Sequence, residues 1–312
     1  MLSLSQEAAY VDEPFNPGRT PGWAARPFPY WYQYICTENE LDFLRVIRNA
    51  VRLRYPLVRS LARVRTKEHF DRAVGDWMNG VRARRRGMRA LLKDPIAFMS
   101  APWLAERFDA RVVVLVRHPA AFAGSLKRLD WQFDFGQWLH QDLLMRDLLG
   151  PFREEIEEAT RRRPDLIGQA ILLWKVIYSV ARRFQDDHPD WLFVRYEDLA
   201  EAPVEGFSRL YEELGLSWSD RVTELIEDHT GPRAPKDVAP DDVATIKRNS
   251  RAAMWAWRDR LTDEEIERVR DGVFDVGERY YSDADWNARG LESRAASPHP
   301  RSSPRDEAEI SS

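Results

Sequence analysis

Two side chains at a fixed interval carry the first chemistry. In RVVVLVRHPAAFAGSLKRL, residues 111–129, Arg117 follows an apolar run from Val112 to Val116, and Ser125 comes eight residues after Arg117. An apolar run without alternation is the pattern of a strand buried on both faces of a parallel sheet. Proline is favoured at a first helical position, so a helix is expected to open near Pro119. Arg117 then stands at the carboxyl end of a strand, and Ser125 about two turns along the next helix. In open α/β sheets that edge is where ligands bind. A guanidinium fork, helix N–H groups and a hydroxyl together make a cradle for phosphate. A buried strand ending in a structural arginine would give the same short pattern.

The elements around this segment follow from hydrophobic spacing. Residues 10–35 are rich in Pro, Gly and aromatics and read as a long loop packed by its own side chains; loops of that length in compact domains are usually functional. Residues 38–62 and 66–92 read as helices, and RARRRG at 82–87 as a solvated helix end. A short strand is expected at 89–95 and a helix near 101–108. A long helix is expected over about 165–187, a strand at 191–196, and an amphipathic helix at 204–216 stopped by Gly215. Residues 230–246 read as a polar loop. Thr262, followed by three acidic residues, is a strong helix start. Strands separated by helices imply a three-layer parallel α/β fold over residues 1–289. Residues 290–312 are Ser, Arg, Pro and Glu and are expected to be a disordered tail.

Composition narrows the function classes. The chain has 312 residues, 44% hydrophobic and 31% charged, with a net charge of −4. The negative balance argues against a broad nucleic-acid surface. No apolar run approaches the roughly 18–20 residues of a membrane span. The first residues carry neither a basic nor an apolar leader region, and the single cysteine, Cys36, excludes an internal disulfide framework; both fit a cytoplasmic protein. The six histidines show no metal-ligand spacing, so no metal is expected.

Four segments in order resemble the sulfotransferases that use PAPS (3′-phosphoadenosine 5′-phosphosulfate). LLKDP at 91–95 is similar to the short strand that precedes the family's phosphate segment. Arg117, Pro119 and Ser125 match its strand ending in Arg-x-Pro with a Ser eight residues after the Arg. FVRYEDLAEAP at 193–203 resembles its strand ending in Tyr-Glu-Asp, and KRNSRAAMWAWRDRLT at 247–262 its basic loop followed by Trp-(Lys/Arg)-x-x-(Phe/Leu)-Thr. The resemblance covers roughly residues 8–285 and implies P-loop kinase-like topology, with sulfuryl transfer from PAPS to a hydroxyl or amine. It implies that Arg117 and Ser125 hold the 3′-phosphate, that Tyr196 lies by the adenine, and that Lys247, Arg248, Asn249 and Ser250 close over the phosphate.

The catalytic assignments are less direct. Sulfuryl transfer needs a base for the acceptor's proton, cations for the leaving phosphate, and reactants held in line. In well-known cytosolic members a Lys at the strand end is followed two residues later by a His; here these positions are Lys93 and Pro95, so the usual base does not carry over. Lys93 is a candidate to stabilise the leaving group, or else a surface lysine. Asp94 is a second possible base, or ordinary turn chemistry before proline. By analogy with bacterial members that sulfate carbohydrates, Glu13 in DEPFNP is the preferred base. His118 and His140 are remaining candidates. The family's glycine-rich phosphosulfate loop, Pro-(Arg/Lys)-Ser-Gly-Thr-Thr, has no counterpart around any of the fifteen glycines. MLSLSQEAAYVDEPFNPG reads as the end of the helix after that loop. The expectation is therefore a chain lacking its first strand and loop, loosely packed and with little PAPS-dependent transfer. Two rivals stand: a non-enzymatic descendant that binds an adenosine phosphate or a protein, and a nucleotide kinase of the same fold. The absent GxxxxGK[ST] loop counts against the kinase. Carbohydrate, lipid or other small-molecule acceptors all fit, and the oligomeric state is not specified.

Overall fold

A computed structural model describes residues 1–19, 21–24, 26–231 and 249–287. The chain enters through a strand, β1 (Ala8–Asp12), where the sequence suggested a helix end. After the aromatic loop come α1 (Glu40–Val51), α2 (Leu57–Leu61) and α3 (Lys67–Arg85). The single helix expected over 38–62 is broken because Leu53 takes a left-handed conformation, φ 54°, and Pro56 follows. Thr66 caps α3, accepting from the His69 N–H at 3.2 Å, and Gly87 at φ 65° ends it early enough for β2 (Arg89–Lys93).

Next come α4 (Ala101–Phe108), β3 (Val113–Val116) and α5 (Pro119–Leu129). Three further helices, α6 (Gly136–Leu139), α7 (Asp142–Leu144) and α8 (Arg153–Arg162), lead to the long α9 (Leu166–Asp187). β4 (Leu192–Arg195) runs straight into α10 (Tyr196–Glu201), then α11 (Pro203–Glu213) and α12 (Asp220–Thr230). Beyond residue 248 lie α13 (Ser250–Met254), α14 (Asp263–Gly277) and α15 (Asp283–Trp286). Thr262 and Glu265 form a reciprocal capping box at the start of α14. The expected tail at 290–312 lies outside the described residues.

The fold is mixed α/β with short parallel strands. β1 pairs with β2, Ala8 opposite Arg89 and Asp12 opposite Lys93. β3 pairs with β4, Val113 opposite Leu192 and Val116 opposite Arg195. Among the described residues these are two separate two-stranded sheets rather than one continuous layer. Leu192 N–H donates to the Val112 carbonyl at 3.1 Å, so alternation turns the backbone of Val114 and Val116 toward β4, and that of Val113 and Leu115 away. Tyr178 of α9 meets this outer edge. Its hydroxyl donates to the Leu115 carbonyl at 3.4 Å and accepts from the Arg117 N–H at 2.9 Å. The strand expected to be buried on both faces is buried at Val114 and Val116, whereas Leu115 is 52% exposed.

Among the described residues a cluster with Val11, Trp23 and Tyr55 packs on β1 and β2, and two larger ones meet β3 and β4. One gathers Phe15, Tyr32, Phe133, Trp138 and Phe184. The other packs α5, α9 and α14 around Trp174, Tyr178 and Trp257. Gly124 of α5 keeps that contact close, since a Cβ there would sit 3.3 Å from the Cβ of Trp257 and push the two apart by a few tenths of an ångström.

Candidate active site

Parallel pairing of β1 with β2 puts the carboxyl ends of both strands side by side, and three candidate residues meet there. Glu13 follows β1 in a left-handed conformation, φ 41°, with its N–H donating to the Lys93 carbonyl at 3.1 Å. The Lys93 ammonium donates to Glu13 Oε1, and Asn16 Nδ2 donates to Oε2 at 2.7 Å. Burial works to raise the Glu13 carboxyl, but the Lys93 and Asn16 hydrogen bonds outweigh it and hold the group below its usual range. Glu13 is therefore a carboxylate at neutral pH, with Lys93 half exposed beside it.

Asp94 is turned the other way. Its carboxylate accepts from the Phe15 N–H at 2.7 Å, the Ile96 N–H at 3.1 Å and the Ala97 N–H at 3.2 Å. It caps the short helix Pro95–Ser100 and pins the loop after β1 to the end of β2. Burial pushes its carboxyl up to about 7 against those three donors. Three backbone bonds occupy this carboxylate, so the structure gives Asp94 a structural task.

A second group sits at the carboxyl ends of β3 and β4. The Arg117 guanidinium lies over the Tyr196 ring, 5.4 Å from its centroid. The Arg117 backbone is held by the Tyr178 hydroxyl on its N–H and by Trp174 Nε1, which donates to its carbonyl at 2.9 Å. Glu197 joins the two strand ends, accepting from the His118 N–H at 3.0 Å and the Tyr281 hydroxyl at 2.8 Å. His118 stacks on Trp257 at 5.2 Å and meets Tyr281 and Trp286 edge-on. Burial drives it down to about 3, so it is a neutral ring inside an aromatic box. His140 lies apart, stacked on Tyr30 at 6.5 Å.

Asn249 and Ser250 arrive at this end through α13, which packs on α10. The Asn249 side chain caps α13 through the Ala252 N–H at 3.1 Å, and the Ser250 hydroxyl donates to the Ala200 carbonyl at 2.9 Å. Both side chains thus fix the start of α13, and Ser250 ties it to α10. Ser125 lies on α5 next to Gly124, the point of contact with Trp257. Lys247 and Arg248 lie outside the described residues. Cavities of about 450 and 410 Å³ include none of the candidate residues.

Asn16, Tyr178 and Trp174 touch the candidate residues Glu13 and Arg117, and the sequence does not single them out. Asn16 had a usable signal, a second polar residue three positions from Glu13 in a loop already marked. Tyr178 and Trp174 sit in the apolar pattern of α9, where nothing separates a hydroxyl aimed at a strand edge from a core aromatic.

Residues 36–220 match the sequence profile of the Sulfotransferase family. That span includes Lys93, Asp94, Arg117, Ser125 and Tyr196, and leaves Glu13 and the 247–250 loop outside. Over 188 residues the chain is 28% identical to carbohydrate sulfotransferase 1 of Danio rerio, an alignment covering 58% of this chain and 37% of that protein. The chain thus spans little more than a third of that relative's length.

Proposed function

This chain belongs to the sulfotransferase family, and on that premise we propose that it acts in sulfuryl transfer from PAPS to a hydroxyl or amine, with a carbohydrate as the acceptor class. The observation that carries the proposal is the Arg117 guanidinium, held over Tyr196 at the adjoining carboxyl ends of β3 and β4. A cation fixed on an aromatic face at that edge fits a phosphate next to a base. The acceptor class is supported by the carbohydrate sulfotransferase with which the chain aligns.

PAPS, when bound, supplies the activated sulfuryl group. Arg117 and Ser125 would hold its 3′-phosphate, with Tyr196 by the adenine. The 247–250 loop would close over that phosphate, Asn249 and Ser250 positioning the loop through α13 while Lys247 and Arg248 bring charge. Glu13, kept ionised by Lys93 and Asn16, would take the acceptor's proton on a carboxylate oxygen. Lys93 has two further N–H donors and would stabilise charge on the leaving side. Asp94 would hold the Glu13 loop in place.

Calorimetry with adenosine 3′,5′-bisphosphate tests the reading. Binding by the chain that is lost in Arg117→Ala and kept in Glu13→Gln supports it. A folded chain that takes up no bisphosphate would overturn the nucleotide assignment.

A further inference from the structure

α2 and α3 carry a surface that includes no candidate site residue. Phe70, Val74, Trp77, Met78 and Val81 fall on one face of α3, within an arc of roughly 100° by helical spacing. Phe70, Trp77 and Met78 are exposed, and Val74 and Val81 are half-buried. The buried face of α3 is a different one, formed by Ala73, Gly80 and Ala83. α2, packed against α3, adds Leu61 and Val58, the latter 83% exposed. Single exposed apolar residues are ordinary; a stripe of Phe, Trp and Met along one helix is not.

The charge around the stripe is one-sided. Residues 45–89 hold fourteen Arg and Lys against three Asp and Glu, in a chain of net charge −4. Several exposed arginines elsewhere are answered by acids, Arg153 by Glu157, Arg209 by Glu205, Arg221 by Glu224 and Arg279 by Asp186. Arg52, Arg54, Arg84 and Arg85 are exposed and make no ion pair among the described residues. Arg84 donates to the Leu53 carbonyl. A cavity of about 410 Å³ opens at the C-terminal end of α3, with Arg52, Arg54, Arg84 and Met88 in its lining. The α3 dipole accounts for cations in its last turn. It does not account for exposed aromatics on the same helix.

We propose that α2 and α3 dock the protein on a membrane surface rich in anionic phospholipid. α3 lies flat, with Phe70, Trp77 and Met78 entering the interface and Glu68 and Asn79 on the opposite face by spacing. The arginines meet lipid phosphates, and the Arg52–Arg54–Arg84 cavity takes a headgroup phosphate. Charge complementarity selects this occupant. A soluble polyanion would use the arginines and leave the stripe in water, and a second copy of the chain would set like charges against each other.

Co-sedimentation of the full chain with vesicles tests this. Vesicles of phosphatidylcholine with phosphatidylglycerol should bind the chain, and phosphatidylcholine alone should not. Arg84→Gln with Arg85→Gln should weaken binding on the order of tenfold, and salt at roughly 0.5 M should do the same to the wild type. Phe70→Gln with Trp77→Gln should weaken it comparably, at exposed positions that leave the thermal transition in place. Absence of vesicle binding, or binding that ignores lipid charge or both double variants, overturns the proposal. Binding to dextran sulfate without vesicle binding assigns the arginines to a soluble polyanion, and a dimer lost in Phe70→Gln/Trp77→Gln without vesicle binding assigns the stripe to a second copy; either also overturns it.

Discussion

Lys93 closes an ion pair on Glu13 across 80 residues of sequence, because β1 and β2 run parallel with Asp12 opposite Lys93. The register does the work. A parallel pair brings both carboxyl ends to one edge, and a slip of one residue would turn one of the two side chains to the other face. The pair therefore reports the strand register as well as the chemistry.

Glu13→Gln should lower sulfuryl transfer about 10²-fold while leaving bisphosphate affinity nearly unchanged. Lys93→Met should act through Glu13 as well as directly. Without its ammonium, burial raises the Glu13 carboxyl, so the acid limb of the pH–rate profile should move to higher pH. An acid limb that stays in place in Lys93→Met would show that Glu13 is not the base.

Arg117→Ala should weaken adenosine 3′,5′-bisphosphate binding by about 2–3 kcal/mol, the loss of charge-assisted bonds to a phosphate. Calorimetry on the folded variant measures it. Unchanged affinity would remove Arg117 from the site and leave its stacking on Tyr196 as packing alone.

Much of this was legible in the sequence where a local rule decides. The run at 112–116 gave β3, Pro119 the start of α5, and Thr262 the capped start of α14, because each rests on neighbours within a few residues. Arg117 and Tyr196 could be placed at strand ends for the same reason. Their mutual contact could not, since it depends on the pairing of β3 with β4 across some eighty residues. At the opening of the chain, AAYVD is too short for periodicity to separate a strand from a helix end, and its partner lies at 89–93. The identity of Asp94 says nothing of the Phe15 N–H that the β1–β2 pairing delivers to it.

Asp94 and His118 should shape acid stability in opposite directions. Asp94 is raised to about 7, so the folded state favours its protonated form; that stability is present below the ordinary aspartate range and is lost as pH rises toward 7. His118 is lowered to about 3, so its contribution is present above the ordinary histidine range and is lost as pH falls toward 3. In chemical denaturation, His118→Phe should flatten the acid side. Asp94→Asn should flatten the slope between about pH 4 and 7 and cost on the order of 1 kcal/mol, because an amide cannot accept from all three N–H groups. A slope unchanged in Asp94→Asn would mean that this carboxyl titrates near its ordinary value.

Among the described residues no strand pairs with the outer edge of β3, and Tyr178 ties that edge to the strand end that carries Arg117. Its hydroxyl accepts from the Arg117 N–H and donates to the Leu115 carbonyl, the places a neighbouring strand would otherwise fill. Tyr178→Phe keeps the ring in its contact with Trp174, 4.4 Å between centroids, and removes only the hydroxyl. The Arg117 N–H then loses its acceptor in a partly buried setting, which should cost about 1 kcal/mol in unfolding experiments. Arg117 would keep its carbonyl bond to Trp174 and its place over Tyr196, so bisphosphate affinity should fall by less than in Arg117→Ala. Loss of stability with affinity intact would mean that Trp174 and Tyr196 suffice to hold the guanidinium. Loss of affinity as large as in Arg117→Ala would make the Tyr178 hydroxyl the part that sets the phosphate site.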